Sequence, residues 1–422
     1  MIKEIQKRPF ARPLLIWITG IVWQTFVPFR ILSFGLLLVP ALLLFFPFRL
    51  FGKQKPALAY DNRWIWGAVF ACLLLFLSVQ LTAYHENRPF IPSSSPLQEW
   101  AMHTRDRLTA PFDSLKLTDA ERSVLATITL GDRSGMPKEI RQQFSVAGVA
   151  HILSVSGFHV AIVCGFLLRM LSFLSGYSAG RWIRYLLTLL LLWTFTTISG
   201  LAVASVRAAI MLTLYLTGRQ LSRTTDGYNT LAASAFCMLV YDPFYLYDVG
   251  FQLSYTAVGF ILYLQPRLSR LIQVRNPVLK APWEWLTLTL AAQTGVTFLC
   301  LYYFGRFSTV FLFTNLPLTL IATLLIPSAL LWILLPAGFP GCAMLQTVVE
   351  TLTRSMMWIV DAFSHIPGSS LSFRFDFITT FLSYGALFFL FLYNKKRRPR
   401  LLLISLSILL LIIVQKIFYL FL

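Results

Sequence analysis

Apolar stretches long enough to cross a lipid bilayer recur along almost the whole chain. A spanning helix needs about 20 predominantly apolar residues, and 57% of the 422 residues are hydrophobic whereas only 13% are charged. The stretches lie at residues 14–29, 31–48, 64–83, 183–199, 201–216, 228–246, 251–264, 285–304, 310–335, 377–393 and 401–422, with one more after residue 151. Lipid satisfies no backbone hydrogen bonds, so such spans must be helical. The sequence therefore predicts an all-α polytopic membrane bundle of about 11–13 transmembrane or re-entrant helices.

The basic residues predict how these helices are oriented. The formal net charge is +19, and the positive-inside rule places Lys and Arg in cytoplasmic loops. If the N-terminus is cytoplasmic and residues 310–335 form a hairpin broken at Pro327, more than half of the 36 Lys and Arg residues fall on the cytoplasmic side. A single long helix over 310–335 is the open alternative. The positive charge thus indicates topology and contact with an anionic bilayer, and it is weak support for nucleic-acid binding.

Four parts follow one another along the chain. They are N-terminal transmembrane helices over 1–83, an extracytoplasmic amphipathic helical segment over 84–147, a transmembrane core over 148–393, and a basic loop with a C-terminal transmembrane helix over 394–422. The extracytoplasmic segment carries eight basic and eight acidic residues. Its short helices are expected to lie on the outer face of the bundle, and the stretch over 341–365 is expected to be a helix at the interface.

The ends of the helices in the extracytoplasmic segment follow from local signals. Residues 95–98 and 118–121 both match a capping box, in which a Ser or Thr side chain and a Gln or Glu three residues later cap the first turn. Gly131 is well placed to end the second helix. Pro137 is expected to open a third helix that runs toward Gly148.

The densest group of polar residues in an apolar setting contains His151, Ser154, Ser156, Gly157 and His159. Such groups usually face a partner or a water-filled path, because burying them in lipid is costly. On a straight helix the two histidines would lie about 80° apart. A break at Ser156 and Gly157 would let the histidines and serines converge on one cavity. The other interpretation is a helix entry whose polar groups cap and pack locally.

Other polar positions stand in later apolar segments. Arg207 lies near the start of an apolar helix, where it either faces a polar path or extends to the interface. Asp242 and Asp248 lie in the next connection between helices, and Gln252 and Ser254 stand at the head of the following span. A place in an outer loop explains Asp242 equally well.

The chain lacks the sequence motifs of several enzyme classes. There is no phosphate-binding loop of a nucleotide-driven motor and no zinc-protease motif, and the five cysteines stand at no metal-binding or disulfide spacing. We therefore expect no cofactor, no metal site and no catalytic residue. Two alternatives are kept. One is an intramembrane hydrolase with Ser154 or Ser156 as nucleophile and His151 or His159 as base, and the other is a small-solute transporter.

The ordered series of motifs resembles the ComEC competence family, the inner-membrane DNA-uptake channels of naturally transformable bacteria. The resemblance covers roughly residues 121–327 and rests on the motifs at 130–135, 147–160, 205–208, 242–243, 250–254 and 303–305. Longer members of the family carry an extracellular β-barrel insertion and a C-terminal nuclease-like domain. Residues 84–120 are too short for the insertion, and the nuclease motif has no counterpart here, so the resemblance implies a channel core alone.

The resemblance also implies what passes through the chain and what assists it. The expected function is translocation of single-stranded transforming DNA across the bacterial inner membrane, with no enzymatic step. The expected strand path passes His151, Ser154, Ser156, Gly157, His159, Arg207, Asp242, Gln252 and Ser254. Each phosphate entering a cell that is negative inside costs about 2.3 kcal/mol per 100 mV. A separate cytoplasmic helicase or single-strand-binding protein and a separate nuclease are therefore expected as partners, and a homo-oligomer is left open.

Overall fold

The computed structural model is helical apart from two short strands, which confirms the predicted all-α class. It describes residues 8–27, 34–35, 38, 63–87, 96–223, 225–336 and 338–421. Most of the predicted span over 31–48 and the predicted cap at Ser95 lie outside these residues. The described residues form two compact units, Met1–Pro111 with Val155–Tyr255 and Phe112–Ser154 with Thr256–Leu422. The predicted four-part division follows the order of the sequence rather than packing, and it stays a prediction.

Among its described residues, the first unit contains seven helices and the start of an eighth. They are α1 (Ala11–Phe26), α2 (Arg63–Glu86), α3 (Pro96–Thr109), α6 (Gly157–Met170), α7 (Ser178–Ile198), α8 (Val203–Gln220), α9 (Gly227–Tyr241) and the beginning of α10 (Val249–Leu268). Short 3-10 turns follow α6 at Leu171–Gly176 and α9 at Pro243–Tyr247.

Helix α1 is fixed in the first unit by polar contacts that supplement its apolar packing. The Trp17 indole donates to the Leu239 carbonyl (3.1 Å), one of the last carbonyls of α9, and such terminal carbonyls have no partner within their own helix. The Ser78 hydroxyl of α2 donates to the Trp17 carbonyl (2.7 Å). Around these bonds Trp17, Ile21 and Leu239 form part of one buried core.

The second unit contains the remaining helices and both strands. They are α4 (Asp119–Leu130), α5 (Lys138–Val146), the rest of α10, α11 (Pro277–Tyr303), β1 (Arg306–Ser308), α12 (Phe311–Leu334), α13 (Cys342–Ser364), β2 (Ser370–Ser372), α14 (Phe377–Lys396) and α15 (Pro399–Phe421). A 3-10 turn at Ala150–Leu153 follows α5.

The local predictions for α4 and α5 are confirmed. The Thr118 hydroxyl accepts from the Glu121 amide (3.3 Å) while the Glu121 carboxylate accepts from the Thr118 amide (2.8 Å), which is the predicted capping box. Gly131 ends α4 in the left-handed conformation at φ 78°. Pro137 directly precedes the first residue of α5. Both helices pack against α12 or α13 within the second unit.

Of the two possibilities left open for residues 310–335, the structure has the single long helix, because α12 continues through both Pro317 and Pro327. Proline is tolerated in such helices when neighbouring helices and Ser or Thr side chains satisfy the freed backbone groups. Helices α12 and α13 pack against each other and together form a helical hairpin. Strand β1 directly before α12 pairs antiparallel with β2 after α13. The helix predicted over 341–365 is present as α13, and its place at the membrane interface stays a prediction.

Five helices of the described residues are long and apolar enough to cross a membrane. They are Ile65–Glu86, Gly157–Gly176, Val278–Tyr303, Phe311–Leu334 and Phe377–Lys396, and Pro399–Gln415 is a shorter apolar helix. Large side chains such as Leu190, Phe313 and Phe381 are exposed on the outer faces of these and other helices. Since lipid tails are as apolar as these side chains, outward-facing apolar residues fit a bundle that lies in a bilayer.

Candidate functional site

The polar cluster around residue 156 lies at the entry to α6 rather than within a straight helix. Ser154 and Ser156 are both extended, at φ −130° and φ −102°, and α6 begins only at Gly157. The chain therefore passes from a 3-10 turn through a short extended segment into α6. This extended segment leaves backbone groups outside any helical ladder, where other parts of the chain can bind them.

His159 and Ser156 are in direct contact at the start of α6. The Ser156 hydroxyl lies 2.9 Å from Nδ1 of His159, and the Ser156 backbone amide donates to the same nitrogen over 3.2 Å. His159 is fully buried. The arrangement resembles a capping box with a histidine at the third position, so it orders the first turn of α6.

The start of α6 lies close against α8. The Ser205 hydroxyl, fully buried, donates to the Val155 carbonyl (2.8 Å). A Cβ built on Gly157 would lie 3.4 Å from the Cβ of Ala208. Small residues at such a contact let two helices approach closely. The motif around Arg207 and the motif around Gly157 thus meet in the first unit.

Arg207 is the largest fully buried side chain in the described residues, and only 1% of it is exposed. Its Nη1 lies 4.0 Å from Oδ1 of Asp248, too far for a hydrogen bond. Neither Nε nor Nη1 has a hydrogen-bond acceptor among the described residues. The interpretation of Arg207 as a side chain that extends to the interface is therefore wrong. A buried cation with open donor positions remains, next to a single carboxylate.

The turn between α9 and α10 places Asp248 beside this cation. Asp248 Oδ1 accepts from the Phe251 amide (2.7 Å), and the Gln252 side chain donates to the Leu246 carbonyl (3.1 Å). A Cβ on Gly250 would lie 3.2 Å from Asp248 Oδ1 and 3.9 Å from Nη1 of Arg207. Gly250 therefore keeps the space beside the ion pair open.

The remaining predicted residues of the first unit have local roles. Asp242 Oδ1 accepts from the Phe244 amide (2.9 Å) and so caps the 3-10 turn after α9. Ser254 is half-buried on α10. Its neighbour Tyr255 donates from its hydroxyl to Ser234 (3.2 Å) and is in electrostatic range of Arg207. An aromatic ring thus stands near the buried guanidinium.

The other two predicted residues, His151 and Ser154, belong to the second unit. The Ser154 hydroxyl donates to the His151 carbonyl (3.1 Å). Ser154 also lines a cavity of about 310 Å³ together with residues of α4, α5 and the loop between them. The predicted convergence of His151 and His159 on one cavity stays a prediction.

The Competence protein family matches residues 128–397, which is more than half of the chain and includes every predicted site residue. The chain belongs to this family. Membership assigns it a competence-related function, and together with the apolar helices it identifies a multi-pass membrane protein.

Two curated proteins are similar to parts of the chain. ComE operon protein 3 of Bacillus subtilis (strain 168) is 29% identical over 197 residues, which are 47% of this chain and 24% of the relative. The uncharacterized protein YcaI of Escherichia coli (strain K12) is 24% identical over 149 residues, which are 33% of this chain and 19% of that protein. The chain thus matches about a quarter or less of each relative's length. No solved structure matches it.

Sequence reasoning missed Asp248, Gly250 and Ser205 as members of the site. Asp248 stands six residues after Asp242, and only the fold shows that Asp248 faces Arg207 whereas Asp242 caps a turn. One signal was available in advance. An ionisable residue at the edge of an apolar span is a candidate functional residue, and Asp248 stands shortly before the span over 251–264.

Proposed function

We propose that this competence protein is an inner-membrane channel for single-stranded DNA and that its function involves no catalytic step. The observation that carries the proposal is the buried Arg207, whose Nε and Nη1 have no acceptor among the described residues. An ionisable group at such a depth is costly and usually marks a transport path or ligand site. A guanidinium binds phosphate oxygens through two parallel hydrogen bonds.

The surroundings of Arg207 match what a single strand needs. Single-stranded DNA is bound by cations that follow the phosphates and by aromatic rings that stack on the bases. Tyr245 and Tyr255 are both in electrostatic range of Arg207. Asp248 at 4.0 Å offsets the charge without occupying the donors. A phosphate arriving at Arg207 would therefore meet open donors rather than displace a tight ion pair.

The direction of transport requires outside help. Every phosphate that crosses toward a negative interior opposes about 2.3 kcal/mol per 100 mV. A long strand therefore does not enter unaided. We include in the proposal a separate cytoplasmic helicase or single-strand-binding protein that pulls or traps the strand, and a separate nuclease that supplies it.

The channel is tested by DNA uptake in a deletion strain of the host. The null strain should collect fluorescent DNA at its surface but fail to bring it into the cytoplasm, and the wild-type chain should restore entry. Arg207→Ala should not restore it. Arg219→Ala is the matched control, because Arg219 is an exposed arginine of the same helix α8. Fluorescent DNA that reaches the cytosol of the null strain overturns the proposal.

A reconstituted assay separates the channel from its partners. Liposomes that contain the purified chain and an enclosed single-strand-binding protein should protect labelled oligonucleotides from external nuclease. Protection should increase with a potential that is positive inside, since the sign of the electrical work is then reversed. Equal protection in liposomes without the chain would contradict the channel.

A hydrolase is the second candidate, favoured by the 2.9 Å contact between the Ser156 hydroxyl and His159 Nδ1. A nucleophile and its base require such a distance. The same nitrogen also receives the Ser156 amide, which explains the contact as a helix cap. Ser156→Ala decides between them. A hydrolase would lose several powers of ten in activity, whereas a channel should retain most of its uptake.

A further inference from the structure

A cavity of about 310 Å³ in the second unit is not used by the proposed strand path through the first unit. It lies where the end of α4, the following loop, α5 and the 3-10 turn at Ala150–Leu153 come together. Its walls include Thr127, Arg133, Met136, Arg141, Leu153 and Ser154. The volume is at the lower end of the range of about 300–1,000 Å³ for small-molecule sites. It suits one unit of a polymer better than a duplex.

The two arginines of the cavity have their guanidinium groups available. Arg133 and Arg141 are exposed, and neither forms an ion pair or a side-chain hydrogen bond within the part of the chain that the structure describes. The nearest acid in sequence, Asp132, is occupied, because its Oδ1 accepts from the Ser134 amide (3.0 Å) and hydroxyl (2.7 Å). The Asp132 carboxylate thus bonds to Ser134 and forms no ion pair with either arginine among the described residues, which leaves the guanidinium donors open to a ligand.

The inner wall of the cavity is apolar. Met136 and Leu153 are only 9% and 7% exposed, so both are buried, whereas the two arginines are exposed. A hydroxyl group at Ser154 and another at Thr127 add polar points. Methionine adapts to flat rings, and its sulfur makes favourable contacts with aromatic groups. The cavity thus combines cations for a phosphate with an apolar wall for a base.

We propose that this cavity binds one nucleotide of a single strand, with Arg133 and Arg141 on the phosphate and Met136 and Leu153 against the base. This inference rests on the proposed function. The cavity belongs to helices of the segment that we place outside the cytoplasm, so a strand meets it before the membrane. Single-strand sites combine cationic groups for the backbone with side chains on which the bases stack, and here Met136 and Leu153 stand in place of the usual aromatic rings.

The test is the binding of a labelled oligothymidylate, on the order of ten nucleotides long, to the purified full chain in detergent. Fluorescence anisotropy is measured over a series of salt concentrations. The double variant Arg133→Gln and Arg141→Gln removes two phosphate contacts, so the slope of log K against log salt should fall by about 1.4. Arg133→Lys with Arg141→Lys should keep most of that slope, because the charge remains.

A matched control removes two charges elsewhere in the same unit. Lys138 and Arg306 are exposed and do not line the cavity, so Lys138→Gln with Arg306→Gln should leave the slope unchanged. An equal decrease in both double variants would show a diffuse charge effect and would overturn the site. An abasic strand of the same length tests the apolar wall. It should bind the wild-type chain more weakly, and equal binding would contradict a base-binding site.

Anionic lipid headgroups share the phosphate chemistry and are tested separately. The chain is placed in nanodiscs with and without phosphatidylglycerol. Loss of oligonucleotide binding in the anionic discs would assign the cavity to lipid and overturn the proposal. Failure of the cavity and failure of the channel are distinguishable. Unchanged affinity in Arg133→Gln with Arg141→Gln overturns the cavity alone, and DNA entry in the null strain overturns the channel alone.

Discussion

Gly148 is a position at which one added methyl group should strongly disturb the structure. It follows α5 at φ 79°, and the Val149 amide donates back to the Phe144 carbonyl (2.9 Å), which is the closing bond of a Schellman motif. A Cβ on Gly148 would lie 2.7 Å from the Cβ of Ser308 and 2.8 Å from the Cβ of Phe311. These contacts involve atoms next to the backbone, so no flexible side chain can move aside.

The expected cost of Gly148→Ala follows from two effects. A non-glycine residue held in a left-handed conformation costs about 1–3 kcal/mol, and an extra carbon in a packed contact typically costs about 1–3 kcal/mol. Alanine also lowers the conformational entropy of the unfolded chain, which stabilises the folded protein by about 0.4–1 kcal/mol. We therefore expect a net loss of about 1–5 kcal/mol, which for a chain of 422 residues corresponds to a decrease in Tm of about 1–6 °C.

The assay is thermal unfolding of the purified protein in detergent, with Gly385→Ala as the control. Gly385 lies in α14 and has no atom within 4 Å of a built Cβ, so alanine there should be neutral or stabilise the helix by up to about 1 kcal/mol. A Gly148→Ala variant with the Tm of the wild type would refute the reasoning. It would mean that the end of α5 does not pack against β1 and the start of α12 as described.

Three further predictions concern single side chains. Arg207→Lys should retain part of the DNA uptake that Arg207→Ala loses, because the positive charge remains although the planar guanidinium is gone. Equal loss of uptake in both variants would show that the guanidinium geometry, rather than the charge, is required. Thr314→Val should cost about 1–3 kcal/mol of stability by thermal unfolding, since it leaves the Ala147 carbonyl without its buried donor at 2.7 Å. Hydrogen bonds from Gln346 and from the Lys116 backbone hold the pKa of Glu350 below its ordinary value of 4.5. The ionised carboxylate of Glu350 therefore stabilises the folded protein above pH 4.5, and this stabilisation is lost as the pH falls through the lowered pKa. The difference in Tm between the wild type and Glu350→Gln should accordingly become smaller in acid.

The sequence predicted those features that depend on near neighbours. The capping box at Thr118 and the left-handed Gly131 follow from residues one to three positions apart, and both are present. The helix entry at Gly157, one of the two interpretations left open, also depends only on local polar residues. Packing between distant segments was not predictable in this way. Asp248 is brought to Arg207 from 41 positions along the chain, and periodicity alone does not distinguish it from an acid in an outer loop.

The division of the extracytoplasmic segment is a second case of distant packing. The sequence predicted one segment over 84–147, yet α3 packs against α7 in the first unit whereas α4 and α5 pack against helices of the second. All three helices are short and amphipathic, so their apolar faces fit any complementary surface. Which surface they cover depends on residues that lie far along the chain, such as Glu350, which accepts from the Lys116 amide (3.0 Å).

The pairing of β1 with β2 predicts the directions in which α11 and α14 of the second unit cross the membrane. Strands β1 and β2 are paired, and the Phe375 amide donates to the Leu301 carbonyl (3.2 Å), so the end of α11 and the start of α14 lie side by side. Both helices are long and apolar enough to span, and they must then cross in opposite directions. Their other ends carry the basic loop before α11 and the basic turn after α14. The fold thus brings these two basic regions to one side, as the positive-inside rule requires.

Side-specific maleimide labelling of single cysteines in a cysteine-free background tests this topology. Asn276 and Asn394 are exposed near the two basic regions, and Ile366, 43% exposed, lies near the paired strands. Asn276→Cys and Asn394→Cys should react only after the membrane is permeabilised. Ile366→Cys should react in intact cells with an impermeant reagent. If Asn276→Cys and Asn394→Cys react from opposite sides, α11 and α14 do not cross antiparallel, and the strand pairing cannot hold in the membrane. If all three react from the outside, the orientation derived from the basic residues is reversed or the helices do not span.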